Sequence, residues 1–259
     1  MSFNALVLAG SRGGTDPVAT YGGVTDKALI RPLNETMLAH VVGVLRAAGA
    51  ARIAVSSSSP AVAQHAQELG CEVLQAAGGP SLSTHDGLKH LGAPLLVTTA
   101  DHALLRPEWI LDFIARHPPE ADVAVLMARR ESIERDAPGT SRTYLRFADG
   151  AWSGCNLFYL ATERASAAIG LWQGVEADRK RPWRIVRRLG PGLLLRYLLG
   201  RLRLSTAIAH LGDVAHVRAA VVECPYGLAA VDVDKPADLD FVRGVLTSMP
   251  PSSPAARCD

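Results

Sequence analysis

Three separated groups of residues in this 259-residue chain carry side chains suited to handling phosphate. The first is Leu8-Ala9-Gly10-Ser11-Arg12-Gly13-Gly14, followed at a distance by Lys27. Glycine and serine let a backbone turn sharply and present successive N–H groups, and such a nest grips phosphate oxygens. Arg12 and Lys27 would add full positive charge to the cradle. The second group is Asp101, just after the apolar run Pro94-Leu95-Leu96-Val97-Thr98. The third is Asp232-Val233-Asp234, two carboxylates spaced to point the same way if they end a strand. Carboxylates facing phosphates require a cation between them, and Mg²⁺ is the natural one.

Each group has a plainer reading. The opening run fits neither GxGxxG nor the P-loop pattern, and a strand followed by an ordinary flexible loop explains its glycines equally well. Asp101 could be the N-cap of a helix holding Trp109, Ile110 and Phe113, with His102 a neighbouring scaffold residue. In the stretch Gly78–Leu88, Ser81 or Ser83 can cap a helix or hydrogen-bond a ligand. In Trp152-Ser153-Gly154-Cys155-Asn156, a glycine and a side-chain amide could lie against a substrate, or could form a bulge in a hairpin.

The elements that must hold these groups read as strand, helix, strand, helix, strand. Ala5–Ala9, Arg52–Val55 and Glu72–Leu74 are short apolar strands, separated by helices over Met37–Ala48 and Ala61–Leu69. Pro94–Thr98 and Asp122–Met127 extend the series, Thr143–Phe147 and Gly150–Tyr159 read as a hairpin, and Arg218–Glu223 is a further strand. In the stretch from Ala229 a last strand would end on Asp232 and Asp234, with a final helix from Pro236 to Leu246. This alternation builds a three-layer α/β/α fold around a mostly parallel twisted sheet. In such sheets ligands bind beyond the carboxyl ends of the strands, where the three groups fall.

Composition is that of a soluble globular protein, 48% hydrophobic and 20% charged. The four cysteines are scattered without metal-ligand spacing, and with no signal segment visible the chain reads as cytoplasmic. The net charge of +2 is unevenly spread: nine Lys or Arg and no acid lie between Arg179 and Arg203. Residues 171–212 read as a helical insertion in a domain spanning 1–246, with helices over Pro182–Leu189, Leu193–Leu202 and Ser205–Leu211, the last capped by Ser205. The insertion could pack on the main core, clamp an anionic acceptor, or make peripheral membrane contact through 179–203. No nucleic-acid module accompanies the charge, so nucleic acid is not expected as a partner. The tail 247–259 is rich in Pro and Ser and reads as disordered.

With these pieces in place, the chain resembles the MobA-like nucleotidyltransferase superfamily. That superfamily includes molybdenum-cofactor guanylyltransferases and the cytidylyltransferases for methylerythritol phosphate and sugar acids. The resemblance runs through Leu8-Ala9-Gly10 with Arg12 and Lys27, the helix-start serine Ser83, Asp101, and the closing D-x-D-x-P-x-D-L at Asp232–Leu239. It spans roughly residues 1–160 and 215–246. Two departures stand out, Ser11 where a second glycine is usual and a long spacer before Lys27. The resemblance implies attack of an acceptor phosphate on the α-phosphorus of a nucleoside triphosphate, with pyrophosphate released. It implies nucleotide binding by Leu8, Ala9, Gly10, Ser11, Gly13, Gly14 and Ser83, and charge stabilisation by Arg12 and Lys27. Mg²⁺ would be held by Asp101 and one of Asp234 and Asp232, Asp234 being preferred, and Gly154 and Asn156 would face a small phosphorylated acceptor. Ser83 tilts the donor towards CTP. A monomer and a homodimer both remain open. A glycosyltransferase of related architecture would carry its D-x-D after a mid-chain strand, and a non-catalytic nucleotide sensor would follow if the loop departures had disabled it. A dehydrogenase would need the GxGxxG fingerprint that is missing here.

Overall fold

A computed structural model of the chain describes residues 2–10, 16–178 and 190–248. Ser11, Arg12, Gly13 and Gly14, the expected helix over Pro182–Leu189 and the tail beyond Ser248 therefore lie outside the described residues.

Among the described residues, eight strands form one sheet: β1 (Phe3–Leu8), β2 (Ala50–Ser57), β3 (Glu72–Gln75), β4 (Leu95–Thr99), β5 (Val123–Arg129), β6 (Leu145–Phe147), β7 (Gly150–Leu160) and β8 (Ala219–Cys224). Their spatial order is β3-β2-β1-β4-β7-β5-β8, with β6 paired to β7. β1 pairs in parallel with β2 and β4, β2 with β3, and β5 with β8, while β7 runs antiparallel to β4 and β5. The central strands are apolar on both faces because helices cover both faces. Ala5 and Val7 belong to the large core cluster, and Leu6 between them belongs to the cluster on the opposite face, the period-two alternation of a strand.

On the first face lie α2 (Met37–Ala47), α3 (Pro60–Glu68), α5 (Pro107–Arg116) and α10 (Pro236–Ser248), joined by the shorter α1 (Pro17–Tyr21) and α6 (Arg130–Asp136). On the second lie α4 (Pro80–Leu91) and α7 (Ala165–Asp178), which share the smaller core cluster. Proline opens α1, α3, α4 and α5, where its missing N–H costs nothing and its fixed φ suits the first turn. α4 can approach β1 closely because Gly87 has no side chain; a Cβ there would lie 2.4 Å from Leu6 Cδ2.

Several expectations need correction. Gly79, not Ser81 or Ser83, precedes α4, so both serines lie inside the helix. Arg106 precedes α5, so Asp101 is not its cap. Residues 231–234 form no strand, and they follow a 3-10 turn over Gly227–Ala230. Three helices went unread: α1 inside the spacer before Lys27, α6 in the charged residues after β5, and α7 after β7. α10 continues to Ser248, two residues into the expected tail.

Helices lie on either side of the basic segment. α7 starts at Ala165, and α9 (Leu204–Val214) packs on β8 and buries Leu204 and Ala207. Ser205 does not cap α9. The Leu204 N–H instead donates to Asp149 Oδ1 at 3.0 Å in the β6–β7 turn. Between them, α8 (Pro191–Leu198) stops short of Gly200. Among the described residues, no helix is long and apolar enough to cross a membrane.

Two predictions follow from the packing. A Cβ at Gly227 would sit 2.1 Å from the backbone oxygen of Ser132 and 2.7 Å from Ile133 Cα, atoms of α6 that cannot rotate away. Gly227→Ala should therefore lower stability by about 1–3 kcal/mol, read as a lower urea midpoint. Gly154→Ala, meeting only Met127 Sδ at 3.9 Å, should be nearly neutral in the same assay. At the other end of β5, Asp122 accepts from Arg218 N at 2.9 Å and Thr162 Oγ1 at 2.7 Å. The Arg218 N–H, helped by the Thr162 hydroxyl and opposed by burial, holds its pKa below the usual aspartate value. A depressed carboxylate contributes stability above its unfolded pKa and loses it as pH falls through the folded one. The stability gap between wild type and Asp122→Asn should thus close as pH drops below about 4, in urea titrations across that range.

Candidate active site

The parallel strands β1 and β4 end side by side, with the Ala100 N–H on Leu8 O at 3.0 Å. Asp101 leaves the end of β4 at this edge and turns its side chain inward. Lys27 reaches it from a 3-10 turn over Lys27–Leu29. Asp16 caps α1 by accepting from Val18 N and Ala19 N, and Ser59 Oγ donates to Asp26 Oδ2 at 2.9 Å. These contacts pin the spacer on both sides of the lysine. The third strand of chain arrives from the C-terminal part, where Val233 N donates to Asp101 O at 3.2 Å.

The centre is one cation between two carboxylates. Lys27 Nζ donates to Asp101 Oδ2 at 2.5 Å and to Asp234 Oδ1 at 3.0 Å. Burial alone would lower the lysine pKa, but the charges and hydrogen bonds of Asp101 and Asp234 outweigh it and raise it. Burial would likewise raise Asp101, and Lys27 overrides it to hold Asp101 ionised. The second oxygen, Asp101 Oδ1, is buried with no hydrogen-bond partner among the described residues.

Asp232 is held quite differently. Arg142 donates to its carboxylate Oδ1 and its backbone oxygen, and Asn156 Nδ2 donates to Oδ2 at 2.9 Å. Burial and the nearby Asp101 and Asp234 push its pKa up to about 6, against the pull of Arg142 and Asn156. Arg142 also pairs with Asp238, and both of those side chains are buried. Asp238 Oδ2 in turn accepts from Asp234 N at 3.1 Å and Lys235 N at 2.8 Å. An acid in the first turn of α10 that reaches back to preceding N–H groups is half of a capping box, and here it fixes the backbone that carries Asp234.

Asn156 owes its position to a break in the sheet. β5 and β7 shift register between Val125/Met127, so that Gly154 pairs Met127 while Phe158 pairs Val125. Asn156 lies in the resulting bulge with φ 49°, a left-handed conformation that asparagine tolerates better than most residues. Of the two readings of this stretch the structure shows the bulge, which turns the Asn156 amide to Asp232. Gly154 is exposed on the same strand.

The structure thus brings together Lys27, Asp101, Asp234, Asp232 and Asn156. Ser83 is buried nearer the other side of the edge, its Oγ accepting from Ala77 N at 3.0 Å. It shapes the loop after β3, whose Ala76 lies beside Gly10. Leu8 and Ala9 are fixed through their backbones, Ala9 O accepting from Ser57 Oγ at 3.2 Å. His102 is a buried core residue near Trp109, kept neutral by burial that lowers its pKa to about 4. Sequence reasoning missed Arg142 and gave Asp238 no role. The capping-box spacing was a usable signal for Asp238, whereas an arginine within a polar stretch offered none.

As to metal, no group of three or more His, Cys, Asp or Glu poised to hold an ion occurs among the described residues. Asp101, whose Oδ1 has no hydrogen-bond partner among the described residues, and the exposed Asp234 form a two-carboxylate set. Two carboxylates suit Mg²⁺, which completes its shell with water and substrate phosphates.

None of the curated proteins compared with the chain matches it in sequence. Among solved structures, a hypothetical transferase from Thermus thermophilus is similar over 92% of this chain and 100% of its own, at 31% identity and TM-score 0.78. CMP:2-keto-3-deoxy-manno-octonic acid synthetase complexed with CTP is similar over 94% of this chain and 98% of its own, at 16% identity and TM-score 0.59. The 4-diphosphocytidyl-2C-methyl-D-erythritol synthase of Anaerococcus prevotii is similar over 95% of each chain, at 12% identity and TM-score 0.56. The last two show a shared fold. The family model for the MobA-like NTP transferase domain matches residues 5–216, and with the sheet order and the edge occupied by Lys27 and Asp101 it places this chain in that family of nucleotidyltransferases.

Proposed function

We propose that the protein transfers a nucleoside monophosphate from a nucleoside triphosphate, CTP in preference, to a small phosphorylated acceptor, with release of pyrophosphate. The observation that carries this reading is the Lys27 ammonium held between Asp101 and Asp234 at the carboxyl edge of the sheet. The preference for CTP rests on Ser83 and is supported by the fold shared with a synthetase complexed with CTP.

An acceptor phosphate is already a nucleophile, so the reaction needs positioning and charge neutralisation more than a protein base. Oxygen of the acceptor attacks the α-phosphorus while the bond to the pyrophosphate oxygen breaks. Lys27 stays protonated throughout ordinary pH and can exchange a carboxylate partner for phosphoryl oxygens, which gain charge as the leaving group departs. The backbone from Leu8 to Gly14 and the Arg12 guanidinium would grip the triphosphate. Asp101 and Asp234 would hold Mg²⁺, which when bound neutralises phosphate charge. Asp232, both of whose oxygens already accept from Arg142 or Asn156, serves in this scheme to orient the carboxylate cluster. Gly154, exposed and unfilled, would let the acceptor lie close to β7, with Asn156 at its side.

Thermal melting with ATP, CTP, GTP and UTP, each with and without Mg²⁺, tests the reading. A ligand of the folded state raises the melting temperature by mass action. CTP with Mg²⁺ should give the largest shift and Asp101→Ala should abolish it; no shift with any nucleotide would overturn the proposal. In a pyrophosphate-release assay with a panel of acceptor phosphates, Lys27→Ala should lower turnover by about 10²–10³. Wild-type turnover in that variant would remove Lys27 from the mechanism.

A further inference from the structure

The surface of α8 does not resemble the rest of the molecule. Leu195, Leu198 and Leu199, at i, i+3 and i+4 and therefore on one side, are 57%, 71% and 57% exposed. Tyr197 beside them is 42% exposed. Its ring packs edge-on to Phe147 of β6 at 6.0 Å. Leu145 shares the face of Phe147 and is half-exposed, so the apolar surface runs on from helix to hairpin. Contiguous apolar exposure of this kind marks an interaction surface.

The charge around it has one sign. Arg196, Arg201 and Arg203 are exposed within or just after α8, and Arg146 is exposed on β6. No acid occurs from Gly190 to Gly212. The nearest hairpin carboxylate, Asp149, is already engaged by the Leu204 N–H. A second copy of this chain is a poor occupant, because a two-fold contact brings the same patch to itself and would set these arginines against one another with no acid to pair them. An anionic bilayer suits both halves of the surface: leucines enter the acyl boundary and arginines stay at the phosphates.

The attachment is firm and its direction is informative. Ala148 N donates to Leu202 O at 2.8 Å, so the chain after α8 is fastened to the β6–β7 turn. β7 is antiparallel to β5, and Arg129, the last residue of β5, pairs with Trp152. The turn at Phe147–Gly150 therefore extends beyond the carboxyl edge of the sheet, the edge that carries Asp101. We propose that the Leu195–Leu199 face of α8, with its flanking arginines, docks the enzyme on an anionic phospholipid surface with the carboxyl edge of the sheet towards the membrane.

Co-sedimentation of the full chain with phosphatidylcholine vesicles, with and without phosphatidylglycerol, tests this. Binding should require phosphatidylglycerol and weaken with salt. Leu198→Glu combined with Leu199→Glu should reduce partitioning by at least about tenfold. Arg196→Glu with Arg201→Glu and Arg203→Glu should reduce it by about a hundredfold or more. All five positions are exposed, and unchanged melting curves would show both variants folded. Absence of binding to anionic vesicles, or binding that both variants retain, would overturn the proposal. So would light scattering that shows a wild-type dimer and a monomer for the leucine variant, with no vesicle binding by either.

Discussion

Everything at the carboxyl edge depends on one part-buried cation shared by two carboxylates. Lys27 and Asp101 are largely withdrawn from water, and an unpaired charge in that position would be costly. Removing either partner strands the charge of the other, so the pair is also a constraint on three distant parts of the chain. It requires the spacer before Lys27, the end of β4 and the segment 231–234 to arrive at one point. The hydrogen bonds that bring them there are made by backbone and small side chains: Ala100 to Leu8, Val233 to Asp101, Ser59 to Asp26. A site assembled from three separate segments behaves as one unit because no segment can withdraw without stranding a charge.

That constraint explains why the second rank of residues is so fully paired. Arg142 satisfies Asp232 and Asp238, Asn156 completes Asp232, and Asp238 holds the N–H groups of Asp234 and Lys235. Without Arg142, Asp232 and Asp238 would face Asp101 and Asp234 with only Lys27 to offset four carboxylates. Like charges there would favour protonation over ionisation. The pKa of Asp232, still pushed up to about 6, shows that the compensation is partial. The bulge that sets Asn156 at φ 49° belongs to the same arrangement: local strain of this kind persists only where surrounding contacts fix it.

Much of this was legible in the sequence, and the reasons are physical. Strands buried on both faces give short apolar runs, so β1, β2, β4 and β5 could be placed within a few residues, and Asp101 could be placed at the carboxyl edge of the sheet. The hairpin of β6 and β7 was visible because one face alternates. α1 and α6 were not, since helices of five and seven residues have too few turns to show a period. The segment around Asp232 reads as a strand by Val231 and Val233, yet it makes no ladder because the sheet ends at β8 and the chain returns across the edge to meet Asp101. Arg142 was invisible for a different reason. Its role comes from tertiary contacts with residues about ninety positions away, and no local pattern encodes those.

The two aspartates of D-x-D illustrate the limit best. Identical side chains two residues apart would point the same way along an ideal strand, and on sequence either could be the ligand-facing group. The structure separates them by environment. Asp232 is enclosed, with both oxygens accepting from Arg142 or Asn156; Asp234 is exposed, with one oxygen on Lys27. A carboxylate whose oxygens are already occupied can orient neighbours but offers little to an incoming cation, whereas one tied by a single exchangeable contact can release it. Division of labour between like residues therefore rests on what surrounds each one, and here the deciding residues are an arginine and a bulged asparagine that the motif itself does not contain.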